Sequence, residues 1–233
     1  VTLVDLDLQF AGLCRYLDLT PQRDLVEAAL SVNDMDDVAA SAFTSEHESG
    51  LRLLSCLPGS KLRLNADILP EQLVSLLQIY QSFNDFVIVD LPRHIDLISA
   101  SVLENADKIS VITQQSFPHL NDTARLLEIL RDDLGIDRSQ ITVIVNRFDK
   151  GSQIPMADIE KALKTDNLVK IANHYASTSE SVNSGIPLID ITRRSAGTKG
   201  LGEYCQSLAP AEGKKEGTGA LQRIFGRSYI AKP

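Results

Sequence analysis

The apolar runs Phe86-Val87-Ile88-Val89 and Ile141-Thr142-Val143-Ile144-Val145 constrain the fold of this chain more than any other feature. Neither alternates polar with apolar residues, so neither suits a strand with one wet face. Runs of this kind fit strands covered on both sides, and hence a parallel sheet with helices on its faces. With their flanking residues they predict strands at 86–90 and 142–146, and similar runs predict strands at 1–5, 51–55 and 108–113. Shorter runs at 169–171 and 187–191 complete the set. Between the runs lie helical stripes. Leu73, Leu76, Leu77, Tyr80 and Phe83 share one face of 70–83, and Pro70 suits a first helical position. Leu120, Ala124, Leu127, Leu130 and Leu134 do the same in 118–134, where Gly135 supplies a stop. Shorter helices are predicted at 24–31, 95–105, 156–163, 179–183 and 200–208. Strand and helix alternate, which is the pattern of a doubly wound α/β fold with a mostly parallel sheet.

Length and charge narrow the function classes. A chain of 233 residues suits one large α/β domain or two small ones. The net charge of −8 argues against a broad nucleic-acid surface. No apolar run approaches the roughly 18 residues of a membrane helix, and no secretory leader is visible. Cys14, Cys56 and Cys205 are too scattered for a disulfide framework or a zinc site and fit a reducing cytoplasm. The expected organisation is one domain over 1–208 and a flexible linker with a short basic tail over 209–233. Residues 211–233 carry five basic and two acidic side chains, so the tail is near +3 and the remainder near −11. Such a tail reads as a solvated terminus or, over 221–233, as a peripheral anchor for an acidic membrane or partner. The chain opens on Val1 inside the apolar run Val1-Thr2-Leu3-Val4, which reads as a fragment with sequence upstream.

Ligands of open α/β sheets bind beyond the carboxyl ends of the strands. Three predicted strand ends carry acids or an amide there: Asp5-Leu6-Asp7, Asp90-Leu91-Pro92 and Asn146-Arg147. Asp5 and Asp7, two apart, point to one side if the chain stays extended. Paired carboxylates so placed orient a water or hold Mg²⁺ through its waters. A lone acid after a hydrophobic strand, such as Asp90, is what a Walker B element needs. Each acid also suits the plainer role of capping the next turn or helix. Arg93 and Arg147 follow strands directly and either face a phosphate or pair with Asp96 and Asp149. The four histidines show no metal-ligand spacing. Ser49 and Ser179 lack a hydrolase elbow.

The segments Leu3-Val4-Asp5-Leu6-Asp7-Leu8-Gln9-Phe10, Asp85-Phe86-Val87-Ile88-Val89-Asp90-Leu91-Pro92, Val143-Ile144-Val145-Asn146-Arg147-Phe148 and Ser184-Gly185-Ile186-Pro187-Leu188 resemble the MinD/ParA group of P-loop ATPases. His47-Glu48-Ser49-Gly50-Leu51 and the Asn146-Arg147 pair are similar to its CpaE/TadZ branch, which serves assembly of Flp (tight adherence) pili. The resemblance spans about residues 1–208. It implies that Asp7 positions the attacking water, that Asp5 supports the metal's water shell and that Asp90 holds Mg²⁺ through water. It implies that Asn146 reads adenine, with Arg147 beside it, and that Ile171-Ala172-Asn173 borders the base; Ala172 stands where the group often has Pro. ATP and Mg²⁺ are the implied cofactors. The group also carries a Gly-rich phosphate loop with a signature Lys. No Gly-x-x-x-x-Gly-Lys-Ser/Thr occurs here. Gly197-Thr198-Lys199-Gly200 and Gly213-Lys214-Lys215 have the wrong spacing or setting. The expected fold therefore lacks the first strand, the phosphate loop and the first helix, and tight ATP binding is not expected of the chain as it stands.

The resemblance implies an ATPase whose nucleotide-driven homodimerisation positions pilus secretion machinery, with the secretion ATPase and inner-membrane assembly proteins as partners. It implies a cytoplasmic location, peripheral at the inner membrane or a cell pole. Two alternatives stay open. One is a non-hydrolysing localisation scaffold of the same fold. The other is a partition or flagellar-placement ATPase, whose DNA-binding form the acidic body opposes.

Overall fold

The computed structural model describes residues 1–57 and 68–209. The basic tail, including 221–233 and Gly213-Lys214-Lys215, lies outside the described residues. The chain divides into two compact units, one over Val1–Val102 and one starting at Leu103.

The first unit is built on a four-stranded sheet in the order β2-β3-β1-β4. Its strands are β1 (Thr2–Asp5), β2 (Ser45–Glu46), β3 (Arg52–Leu54) and β4 (Val87–Asp90). β1 lies between β3 and β4 and is parallel to both, in a register that sets Asp5 opposite Asp90. Only β2 runs antiparallel, joined to β3 by a tight turn in which Gly50 takes φ +81°. The motif His47-Glu48-Ser49-Gly50-Leu51 is this turn, closed by the His47 amide donating to the Leu51 carbonyl at 2.8 Å. Among the described residues the sheet is accompanied by the α-helices α1 (Leu13–Tyr16), α2 (Leu25–Leu30), α3 (Asp37–Ser41) and α4 (Pro70–Ser82), with α5 (Leu97–Glu104) beginning beyond β4. The stripe predicted for 70–83 is buried: Leu73, Leu76 and Tyr80 join Val4, Leu25 and Leu54 in the core. The Tyr80 hydroxyl donates to the Ala40 carbonyl at 2.7 Å and so ties α4 to α3.

The second unit carries a parallel three-stranded sheet of β5 (Ile109–Thr113), β6 (Ile141–Phe148) and β7 (Leu168–Ala172), with β6 central. Its helices are α6 (Phe117–Glu128), α7 (Met156–Leu163), α8 (Tyr175–Ser184), α9 (Leu188–Ile191) and α10 (Ala196–Leu208). The stripe at 118–134 is helical throughout, but its last turn, Ile129–Asp133, is a π-helix that ends before Gly135 at φ +66°. α10 begins well before the predicted residue 200. A Cβ on Gly197 would sit 3.1 Å from the Ala172 carbonyl, and one on Gly200 3.2 Å from that of Lys170. The glycines of Gly197-Thr198-Lys199-Gly200 therefore let a helix close onto β7 and have no phosphate loop to form.

Two expectations need correction. Residues 187–191 are not a strand. Pro187 at φ −54° leads into the four-residue α9, whose Asp190 amide bonds the Pro187 carbonyl at 2.9 Å. A run this short does not separate strand from helix by periodicity. Coverage on both faces holds for β6 but not for β4 and β5. Ile88 is 51% and Ile112 62% exposed, and β5 alternates buried and exposed residues, so one face of each strand is open among the described residues.

Removing the Tyr80 hydroxyl tests the α3–α4 tie. Tyr80→Phe removes one of two donors to the Ala40 carbonyl, which keeps the Phe43 amide at 3.0 Å, and urea denaturation should show a loss of about 0.5–1.5 kcal/mol. An unchanged midpoint would mean that the hydroxyl tie adds nothing to stability.

Candidate functional site

The carboxyl end of β1 is organised by its two aspartates. Asp5 is only 1% exposed. Its Oδ1 accepts from the Asp7 amide at 3.1 Å; its Oδ2 accepts from the Leu13 amide at 3.0 Å and the Ser55 hydroxyl at 3.4 Å. One buried carboxylate thus holds both ends of the loop 6–13 and the end of β3. Asp7 Oδ1 accepts from the amides of Gln9 at 3.2 Å and Phe10 at 3.1 Å, fixing the turn in which Ala11 takes φ +41°. Asp7 Oδ2 has no hydrogen-bond partner among the described residues. The capping role foreseen for these acids is therefore real, and it uses all of Asp5 but only half of Asp7.

Asp90 stands across the ladder from Asp5. Its backbone carbonyl accepts the Leu6 amide at 3.0 Å, while its carboxylate has no hydrogen bond or ion pair among the described residues. Asp90 ends an open strand, yet the protein around its carboxyl group removes enough water to raise its pKa, and the charges of Asp5 and Asp7 raise it further. Desolvation also raises Asp5, opposed by its amide donors and assisted by Asp7. The three acids repel one another, and among the described residues none forms an ion pair. A cavity of about 150 Å³ opens between the loops after β1 and β4, lined by Asp7, Phe10, Leu91 and His94 among others. A hydrated cation fits this donor set: Asp90 and one oxygen of Asp7 are free to accept from its waters. Among the described residues no group of three His, Cys, Asp or Glu side chains has the geometry to hold a metal.

Asp96, expected beside Arg93, caps α5. Its Oδ1 accepts from the Ser99 hydroxyl at 2.7 Å and the Ser99 amide at 2.8 Å, and its Oδ2 lies 3.4 Å from His94 Nε2. The serine, histidine and acid gathered here close a helix end and do not form a nucleophilic triad.

The remaining predicted residues belong to the second unit. Asn146 and Arg147 sit in an irregularity of the β6–β7 ladder between Val145 and Phe148. Arg147 takes φ +52°, and its amide donates to Asn146 Oδ1 at 2.9 Å. Asn146 is half-buried, Arg147 is exposed, and the Asn146 Nδ2 donors make no bond among the described residues. Asp149, foreseen as a partner of Arg147, caps Gly151 instead, at 2.8 Å. Ile171 is 6% exposed and packs with Ile144 and Tyr204, so its side chain supports the sheet. Asn173 is exposed, with its amide donating to the Phe148 carbonyl at 3.0 Å. Sequence reasoning passed over Ser55. Applying the strand-end rule to β3, as to β1 and β4, finds it.

This geometry defines a class. Parallel sheets flanked by helices, with acids at the carboxyl ends of adjacent strands, give the fold of the ParA/MinD-type P-loop ATPases. Among solved structures, a ParA family ATPase from Chlorobium tepidum superposes with a TM-score of 0.80 at 27% identity, covering 89% of this chain and 85% of that one. MinD from Pyrococcus horikoshii, solved as a complex with Mg-ADP, gives 0.69 at 20% identity, covering 89% and 83%. A Cyanothece McdA–ATP complex gives 0.67 at 18%, covering 90% and 86%.

Two septum site-determining MinD proteins are similar in sequence. The one from Thermotoga maritima is 26% identical over 143 residues, 59% of this chain and 52% of that protein. The one from Bacillus subtilis is 24% identical over 184 residues, 75% of this chain and 68% of that protein. The chain thus spans about half of the first relative's length and about two thirds of the second's. No family model matches the chain.

The crowding of carboxylates sets a pH test. Asp90 has a folded pKa above its ordinary 3.8, so its contribution to stability is complete below that value and is lost as pH rises through the raised one. Asp90→Asn should therefore raise the melting temperature at pH 7, with the gain shrinking to nothing near pH 3. An equal gain at both pH values would show that charge repulsion is not its cause.

Proposed function

We propose that this chain is the ATPase domain, over 1–208, of a CpaE/TadZ-like protein that positions Flp pilus secretion machinery through ATP-dependent dimerisation. The observation that carries the nucleotide part is the convergence of Asp7 and Asp90, both without an ion pair among the described residues, at adjacent strand ends of a ParA/MinD-type fold. Asp90 would hold Mg²⁺ through water and Asp7 would align the attacking water with its free Oδ2. Asp5 would act through Asp7, by holding the turn on which Asp7 stands. Mg²⁺, when bound, would neutralise charge on the phosphates. Asn146 would offer its Nδ2 donors to the base, with Arg147 and Asn173 beside it. The exposed side chains Phe10 (73%), in the loop after β1, and Leu97 (79%), at the start of α5, would supply apolar surface for a second subunit. The pilus role rests on the sequence motifs, and its partners would be the secretion ATPase and inner-membrane assembly proteins. Among the described residues no helix is long and apolar enough to cross a membrane. Membrane contact would be peripheral, through 221–233.

A non-hydrolysing localisation scaffold is the second reading, favoured by the lack of any Gly-x-x-x-x-Gly-Lys-Ser/Thr in these 233 residues.

Phosphate release by the full-length protein with Mg-ATP decides between the readings. Asp7→Asn keeps the Oδ1 acceptor that fixes the turn and removes the charge. It should slow turnover by about 100-fold while leaving the melting temperature near that of the wild type. Equal rates would remove Asp7 from the mechanism, and a wild type that binds Mg-ATP without turnover would be the scaffold.

A further inference from the structure

Gln115 lies just beyond β5, in a segment to which no role has been assigned. Its carboxamide is used at both ends. Oε1 accepts from the Asp149 amide at 2.6 Å, and Nε2 donates to the Ile154 carbonyl at 2.9 Å. One side chain thus spans the loop that leaves β6 and holds it to the end of β5. The loop closes on itself through Asp149, whose carboxylate caps Gly151 and whose carbonyl accepts the Ser152 amide at 3.2 Å.

The clamp falls directly after the irregular part of β6. Up to Val145 the strand is fixed on both sides, paired with Thr113 and Lys170. Asn146 and Arg147 then leave the register, with Arg147 left-handed at φ +52°. Phe148 returns to the ladder opposite Ala172, and its carbonyl accepts the Asn173 amide. The next amide is the one that Gln115 holds. A left-handed arginine is strained and persists only where its surroundings over-determine it. Here the ladder fixes the strand before the bulge, and Phe148 with the Gln115 clamp fixes it after.

We infer that Gln115 is a positioning residue that holds the Asn146–Arg147 bulge in its left-handed form and so sets where the Asn146 carboxamide stands. Its link to nucleotide recognition rests on the reading of Asn146 as the base-contacting amide. Gln115 itself touches no ligand in this account. A glutamate at this position keeps the acceptor for Asp149 but loses the donor for Ile154. The two ends of the clamp can therefore be separated.

Amide exchange and ¹⁵N spectra of the chain test this directly. Gln115→Ala should speed exchange at the Asp149 amide about tenfold and shift the Arg147 amide and the Asn146 side-chain signals. Gln115→Glu should keep Asp149 protected while the amides around Ile154 loosen. Unmoved Asn146 and Arg147 signals in a folded Gln115→Ala protein would overturn the inference, as would equal loss of Asp149 protection in both variants. Titration of the full-length protein with Mg-ATP and Mg-GTP separates the two claims. If the wild type prefers ATP, Gln115→Ala should reduce that preference several-fold. If wild-type Asn146 signals ignore both nucleotides, the base-reading role falls while the clamp stands on the exchange data.

Discussion

Parallel pairing of β1 with β4 puts Asp5 and Asp90 on one rung of the ladder, and most of what is particular to the first unit follows from that rung. Two carboxylates brought together this way, with Asp7 two residues on, repel each other wherever all are ionised. Asp5 is tolerated because two backbone amides and a serine hydroxyl donate to it. Asp90 has no such compensation. The arrangement stores an electrostatic cost that a hydrated cation would relieve.

The strand ends were legible in the sequence because they follow short apolar runs that alternate with longer helical stripes. Strands 2–5, 87–90 and 109–113 each lie within a residue or two of expectation, and so does the helix Pro70–Ser82. The elements missed are short: α1, α3 and β2, with four, five and two residues, have too few positions for a period to show. Their signals are local. Of these only α3 carries a side-chain cap, Asp36 accepting the Ala39 amide at 2.7 Å, and a search for caps finds it. The run at 187–191 misled because Pro187 starts a turn as readily as it flanks a strand.

The site was legible as a list of residue types and less so as a set of roles. Sequence gave Asp5 and Asp7 equal weight as chemistry, whereas hydrogen bonding separates them: Asp5 is spent on the loop, and Asp7 keeps one oxygen. Ile171 reads as a base neighbour by position, yet its side chain is core. Gln115 carries no signal at all, because its importance lies in two backbone groups from a different loop. Hydrogen bonds to backbone leave no pattern in spacing or composition, which is why positioning residues are read from structure and not from sequence.

The central claim is that Asp7 and Asp90 form one end of a magnesium–nucleotide site. Paramagnetic broadening by Mn²⁺ tests it most directly, since Mn²⁺ takes the place of Mg²⁺ and erases the signals nearest to it. In the full-length protein with ATP present, the account predicts that the amides of Asp7, Leu8 and Asp90 disappear first and that omitting ATP weakens the effect. Broadening that leaves those three sharp and appears elsewhere in the chain would contradict it.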